Sequence, residues 1–220
     1  MYSSSVEGLL VSLTLPILRS LPRSPCFCIG LASAIRLKQL CQKNETDISV
    51  CVLEKGSYVG AHILSGNVFE PRALNELFPD WKDMGAPLNT RVKSDELKIL
   101  WNQTSSFTVP NMFLPKSIDN HGNYIISLSE LCVWLNEKAE EMGVEVLPGF
   151  SGDSVIEEDG IIQGVVTGSF GIAKDGSKKD NYMPGRKILA KQTIFTEGAR
   201  GSLTEHLKGR FQLDKNTTSL

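Results

Sequence analysis

Two short turns contain the residues of this chain whose types and spacing could do chemistry. In Val52-Leu53-Glu54-Lys55-Gly56, an acid ends the apolar run Ile48 to Leu53, which is broken only by Ser49. A carboxylate at the carboxyl end of a buried parallel strand can accept hydrogen bonds from the 2′- and 3′-hydroxyls of a ribose. A solvated acid at a strand end would look the same. In Glu197-Gly198-Ala199-Arg200-Gly201-Ser202-Leu203, the turn follows the apolar run Thr193-Ile194-Phe195-Thr196 and leads into a helix. Backbone N–H groups around Gly198 could there meet a phosphate oxygen. An ordinary strand-to-helix turn explains these glycines equally well.

A dinucleotide cradle needs a third turn, and it should come first. Gly30 opens a helix and could be the last glycine of G-x-G-x-x-G, where a missing side chain lets helix and strand pack closely. The earlier glycines would then stand at 25 and 27, but the residues are Pro25 and Phe27. Pro25 removes a backbone donor, and a benzyl group at 27 fills the space where the backbone approaches a pyrophosphate. Arg19 to Ser24 does not read as a buried strand. The residues therefore predict that this phosphate cradle is lost.

The elements around these turns follow from periodicity. Leu31, Ala34, Ile35, Leu37, Leu40 and Cys41 predict a helix with little exposed apolar face, closed by the polar run 42–47. The nearly continuous apolar character of Ile48 to Leu53 predicts a parallel strand covered on both faces. Helix, loop, buried strand and acid form the second half of a dinucleotide-binding βαβ unit. Ser127 to Met142 predicts a helix with Ser127 and Glu130 as a capping box and Gly143 as its stop. Val144 to Leu147 follows as a short strand. Residues 153–190 read as antiparallel strands with Asp159-Gly160 and Asp175-Gly176 as turns, a β-meander inserted before the strand Thr193 to Phe195. One further strand is predicted at Leu97 to Trp101. Pro71 to Trp81 predicts a short helix whose Leu74, Leu77, Phe78 and Trp81 share a face, either packed in a core or laid into a membrane interface.

Composition narrows the function classes. The chain has 220 residues, 41% hydrophobic and 22% charged, with net charge −2, so there is no electrostatic case for nucleic acid. The five cysteines, at 26, 28, 41, 51 and 132, form neither a disulfide framework nor a CxxC pair. Cys41, Cys51 and Cys132 fall on apolar positions and read as buried packing, and Cys26-x-Cys28 lacks the second pair a metal site needs. Asn44, Asn102 and Asn216 begin sequons, which matter only in a secreted chain. His62, His121 and His206 are isolated, and no triad, HExxH or carboxylate pair stands out. No catalytic side chain or metal ligand is assigned, and a bound redox cofactor would need none. Residues 1–28 are expected to be a leader, either transit-like, from Ser3, Ser4, Ser5, Ser12, Arg19, Ser20, Arg23 and Ser24 with Glu7 the only acid, or unstructured. Gly8 to Leu18 is apolar but is interrupted by Pro16 and too short to span a bilayer, which takes about 20 residues.

Several longer motifs resemble one family. Gly60-Ala61-His62-Ile63-Leu64-Ser65-Gly66, Glu70-Pro71-Arg72-Ala73, Leu77-Phe78-Pro79-Asp80-Trp81-Lys82, Gly85-Ala86-Pro87-Leu88-Asn89-Thr90, Asn120-His121-Gly122-Asn123-Tyr124-Ile125, Gly171-Ile172-Ala173-Lys174-Asp175-Gly176 and Thr193 to Leu203 resemble electron transfer flavoprotein–ubiquinone oxidoreductases. The resemblance runs from about 29 to 211. It implies an α/β fold with α+β features, an incomplete FAD/NAD(P)-binding Rossmann-like domain over 29–220 carrying the β-meander. It implies FAD and, in the full-length family, one [4Fe–4S] cluster, for which this chain has no ligands. The implied partners are electron transfer flavoprotein, ubiquinone and the matrix side of the inner mitochondrial membrane. Gly30 and Glu54 would serve the ADP moiety, Ser65 and Gly66 would lie near the flavin, Gly198 would serve the phosphate or ribityl region, and Lys55 and Glu197 would also be cofactor-binding. The stretch 59–81, with Leu74, Leu77, Phe78 and Trp81, would contact the membrane. An NAD-dependent Rossmann enzyme is disfavoured by the match through 60–125. The replaced first strand, and the lack of a quinone domain and cluster cysteines, lead to the expectation of a truncated chain with either the family reaction or a non-catalytic role.

Overall fold

The computed structural model describes residues 4–5, 8–13, 26–61, 63, 65–113, 115, 118–173, 175–198 and 201–215. The chain forms two compact units, Met1–Ile63 with Cys132–Leu220, and Leu64–Leu131. Its elements begin with β1 (Ser4–Ser5), β2 (Gly8–Leu13), α1 (Cys26–Lys43) and β3 (Ser49–Glu54). Next come β4 (Ser65–Phe69), α2 (Arg72–Leu77), β5 (Thr90–Arg91), β6 (Leu97–Leu100), β7 (Ser106–Val109) and β8 (Tyr124–Ser127). Helix α3 (Leu128–Glu141) is followed by β9 (Val144–Pro148), β10 (Gly152–Glu158), β11 (Ile161–Thr167), β12 (Phe170–Ile172) and β13 (Lys178–Met183). The last elements are β14 (Lys187–Leu189), β15 (Gln192–Phe195) and α4 (Ser202–Phe211).

The first unit is organised by a parallel sheet in the order β15-β2-β3-β9. Parallel neighbours cannot be joined by a tight turn, so β2 reaches β3 through α1, which packs on both. Leu31, Ala34 and Ile35 of α1 are fully buried, and β3 buries every residue after Ser49, as an apolar run covered on both faces requires. The chain steps from β2 outward to β3 and β9, then returns as β15 on the other flank of β2. The strand order therefore reverses between β2 and β15. The carboxyl ends align there, with Leu13 opposite Glu54, Glu54 opposite Pro148 and Ser12 opposite Phe195.

The expected leader differs from this. Gly8–Leu13 is the strand between β3 and β15, and Ser4–Ser5 pairs in parallel with β14. The boundary at 28 also moves, because α1 begins at Cys26. A central strand needs only a short apolar run, and Gly8-Leu9-Leu10-Val11-Ser12-Leu13 supplies one whatever precedes the helix. Arg19 to Ser24 and Pro25 lie outside the described residues, as do His62 and Asn216.

The meander forms as its turns predict. Strands β10, β11 and β14 are antiparallel neighbours, and β12 pairs with β13. Its inner face shares a core with the parallel sheet and α4, comprising Cys51, Leu53, Val165, Ile188, Ala190 and Leu203. The meander thereby fixes where α4 starts after β15.

In the second unit, β8 pairs with β4 and β5, and β6 and β7 form a hairpin. The expected helix 71–81 stops at Leu77, because Phe78 precedes Pro79 and adopts an extended conformation (φ −137, ψ 91). Helix α3 starts where expected, with the Glu130 N–H donating to Ser127 Oγ at 3.4 Å.

Candidate dinucleotide site

The crevice at a strand-order reversal, beyond the carboxyl ends of the strands, is where open α/β sheets bind ligands. Glu54 ends β3 at that edge and is only 3% exposed. Its Oε1 accepts the Gly56 N–H at 2.5 Å. Burial pushes its carboxyl above the usual carboxylate range, and the Gly56 hydrogen bond pulls the other way. The loop closes tightly on the carboxylate, since a Cβ at Gly56 would stand 2.9 Å from Glu54 Oε1. The Gly149 N–H donates to Gly56 O at 2.7 Å, tying the loop after β9 to the loop after β3. An ionised carboxylate has about four acceptor sites, and Gly56 takes one, so this group suits a pair of vicinal hydroxyls.

On the other flank, Gly198 follows β15 with φ +76, a backbone conformation that glycine adopts without strain. Adjacent strands lie about 4.8 Å apart, so β3 and β15 are separated by roughly 10 Å across β2. Thr196 Oγ1, between β15 and this turn, is buried without a hydrogen-bond partner among the described residues. A buried hydroxyl lacking a partner fits a site completed by a polar ligand atom. The sequence reading missed Thr196 because it continues the apolar run into the turn.

Glu197 does something other than expected. It is 1% exposed and turned toward α4, where Oε2 accepts the Thr204 N–H at 2.6 Å and the Thr204 hydroxyl at 2.7 Å. Its Oε1 accepts the Leu203 N–H at 3.4 Å. The Leu203 and Thr204 amides in the first turn of α4 are thus already given to a protein carboxylate rather than left for a ligand. Gly201 allows this fold-back, since a Cβ there would meet Glu197 Cβ at 2.1 Å.

The remaining expected residues are divided between the units. Gly30 is buried in α1, consistent with close packing on the sheet, and Lys55 is exposed just beyond Glu54. The structure therefore brings Gly30, Glu54, Lys55, Glu197 and Gly198 into one unit. Ser65 and Gly66 belong to the other, where Gly66 has φ +80 at a register break of β4 against β8. The membrane-contact expectation meets a correction. Leu74, Phe78 and Trp81 are 4%, 6% and 3% exposed, and Leu77 is half-buried. The Trp81 Nε1–H donates to Asn75 Oδ1 at 2.6 Å, and its ring meets Tyr124 edge-on at 5.7 Å. Core packing occupies the face that a membrane contact would need free.

Comparison with known proteins bears on the same residues. No protein-family model matches the chain. It is 53% identical over 187 residues to the electron transfer flavoprotein–ubiquinone oxidoreductase of Pseudomonas aeruginosa, covering 84% of this chain and 34% of that protein. The mitochondrial protein of that name from Oryza sativa is 52% identical over 179 residues, covering 81% of this chain and 30% of its own length. The one from Bos taurus is 48% identical over 189 residues, with 85% and 30% covered. The chain thus spans about a third of the length of these relatives.

Solved structures share the fold at low identity. The p-nitrophenol 4-monooxygenase PnpA of Pseudomonas putida gives a TM-score of 0.56 at 16% identity, covering 94% of this chain and 44% of that one. A geranylgeranyl bacteriochlorophyll reductase-like protein of Thermoplasma acidophilum gives 0.55 at 15%, with 90% and 40% covered. The myxobacterial chondrochloren halogenase CndH, described as a variant of FAD-dependent halogenases, gives 0.52 at 14%, with 91% and 39% covered. The Rossmann-like α/β fold expected from the sequence is the one present. Over 84% of its length, the chain belongs to the electron transfer flavoprotein–ubiquinone oxidoreductase family.

Proposed function

We propose that this chain is the FAD-holding part of an oxidoreductase that passes electrons from reduced electron transfer flavoprotein to ubiquinone. The observation that supports it most is the parallel arrangement of β3 and β15 about β2, with Glu54 and the Gly198 turn at one carboxyl edge. Glu54 would accept the ribose hydroxyls with Lys55 alongside, and Gly30 would keep α1 close to the sheet. Gly198 and Thr196 Oγ1 would meet phosphate or ribityl oxygens, Glu197 would act by positioning that turn, and Ser65 and Gly66 would lie near the flavin. When bound, the flavin supplies the electron chemistry, and the protein binds and orients it. The family's [4Fe–4S] cluster does not fit here, because no group of three or more His, Cys, Asp or Glu stands ready for a metal among the described residues.

Partners and place follow from the family. The relatives' names pair electron transfer flavoprotein with ubiquinone, and those from Oryza sativa and Bos taurus are called mitochondrial. Those names support a mitochondrial location, and the matrix side of the inner membrane is the finer reading that the family resemblance implies. No helix among the described residues is long and apolar enough to cross a membrane.

A second reading is a non-catalytic chain without flavin, favoured by Pro25 and Phe27 where the phosphate-binding motif needs glycines. Purification with added FAD, followed by desalting, separates the two. The proposal expects yellow protein with close to equimolar flavin absorbance; a colourless chain overturns it.

A further inference from the structure

Cys28 and Cys132, 104 positions apart in sequence, stand Sγ to Sγ at 2.6 Å. A disulfide bond is about 2.05 Å long, so the two sulfurs need only a small approach to bond. Cys28 lies in the first turn of α1 and is half-buried, whereas Cys132 lies on α3 and is fully buried. Both lie beside the dinucleotide site, Cys28 two residues before Gly30 and Cys132 near enough to Glu54 for its charge to act on the thiol. Cys41 and Cys51, the other cysteines whose side chains are described, are buried as well.

We propose that Cys28 and Cys132 form a reversible oxidation site, a dithiol that a peroxide converts into a covalent clamp between α1 and α3. The burial of the two residues sets the order of events. Peroxide reaches Cys28 first, and its thiol becomes a sulfenic acid as the O–O bond breaks and one water leaves. The Cys132 sulfur then attacks the Cys28 sulfur. The S–O bond breaks, the S–S bond forms, and the departing hydroxyl takes the Cys132 proton as a second water. Two thiols and one hydrogen peroxide thus give one disulfide and two waters.

Cys132 is the resolving partner by position, because its sulfur stands against Cys28 and is sheltered from peroxide. Its hydrogen bond with Cys28 and its burial hold its thiol well above the usual range, with the Glu54 charge a smaller contributor, which leaves the more exposed Cys28 to react with peroxide first. The clamp would fix the first turn of α1, the turn entered from the central strand at the strand-order reversal. This inference does not depend on flavin binding.

The test uses the full native chain treated with one equivalent of hydrogen peroxide, alkylated with N-ethylmaleimide under denaturing conditions and mapped by non-reducing mass spectrometry. The expected product is a Cys28–Cys132 linked peptide about 10-fold more abundant than any other pairing. Dithiothreitol should reverse it, Cys26→Ser should retain it, and Cys28→Ser should abolish it. The linked protein should melt about 5–10 °C higher than the reduced one, with no peroxide-induced rise in Cys28→Ser. Sulfinic acid at Cys28 with Cys132 still open to alkylation would overturn the proposal, and so would comparable yields of several pairings among the five cysteines.

Discussion

Glu54 combines deep burial with a hydrogen bond from the Gly56 N–H, and these act on its ionisation in opposite directions. Burial dominates and raises its folded-state value. The folded protein therefore holds this proton more tightly than the unfolded chain does. Its share of stability is complete below the unfolded value of about 4.3 and is lost as pH rises through the higher folded value. Glu54→Gln should flatten this part of the stability profile, measured by urea unfolding across pH. The same change should weaken FAD binding roughly 10- to 100-fold, because a carboxylate accepts hydroxyl hydrogen bonds more strongly than a neutral amide does. Equal affinity in both forms, measured by calorimetric titration, would remove Glu54 from the site. Gly201→Ala should destabilise by about 1–3 kcal/mol in urea titrations, since its Cβ would collide with Glu197 and pull that carboxylate off α4.

Helices and hairpins in this chain vary in how far local pattern predicts them. Helix α3 has its cap, its apolar face and its stop within one segment, so periodicity finds it almost to the residue. Helix α2 stops early because Pro79 acts on Phe78, a local rule that the apolar spacing through Trp81 obscured. The β6–β7 hairpin and the β4–β8–β5 sheet lie in stretches where alternation is weak, and only β6 was anticipated. That hairpin carries exposed apolar side chains, with Leu100 78%, Trp101 83% and Phe107 60% exposed. Trp81 and Trp134, by contrast, are 3% and 7% exposed. Acrylamide should therefore quench Trp101 emission strongly, and Trp101→Phe should remove most of the quenchable fluorescence. Strong quenching that persists in Trp101→Phe would contradict the packing of Trp81.

Across the whole molecule, the parallel sheet depends on Gly8–Leu13 pairing on both sides. Val11→Pro removes a backbone donor from that strand and cannot be accommodated in the middle of a sheet, at a cost of about 3 kcal/mol or more. Against a typical total of roughly 5–15 kcal/mol, this should broaden or abolish cooperative unfolding followed by circular dichroism. A stretch independent of the sheet would accept the proline unchanged.

Ile48 to Glu54, Thr193 to Phe195, the meander turns at Asp159-Gly160 and Asp175-Gly176 and the acid at the sheet edge were all legible in the sequence. Each is encoded by neighbours within one segment: an apolar run, a turn dipeptide, or a charge where the run stops. Tertiary structure alone decided which strand fills the gap between β3 and β15, because an open sheet position is defined by its neighbours and any short apolar run of suitable length can occupy it. It also decided that Glu197 turns inward to α4 and that Trp81 turns into its own unit. A side chain's direction depends on what packs beside it, and those partners, Thr204 for one and Asn75 and Tyr124 for the other, meet it only once the chain has folded.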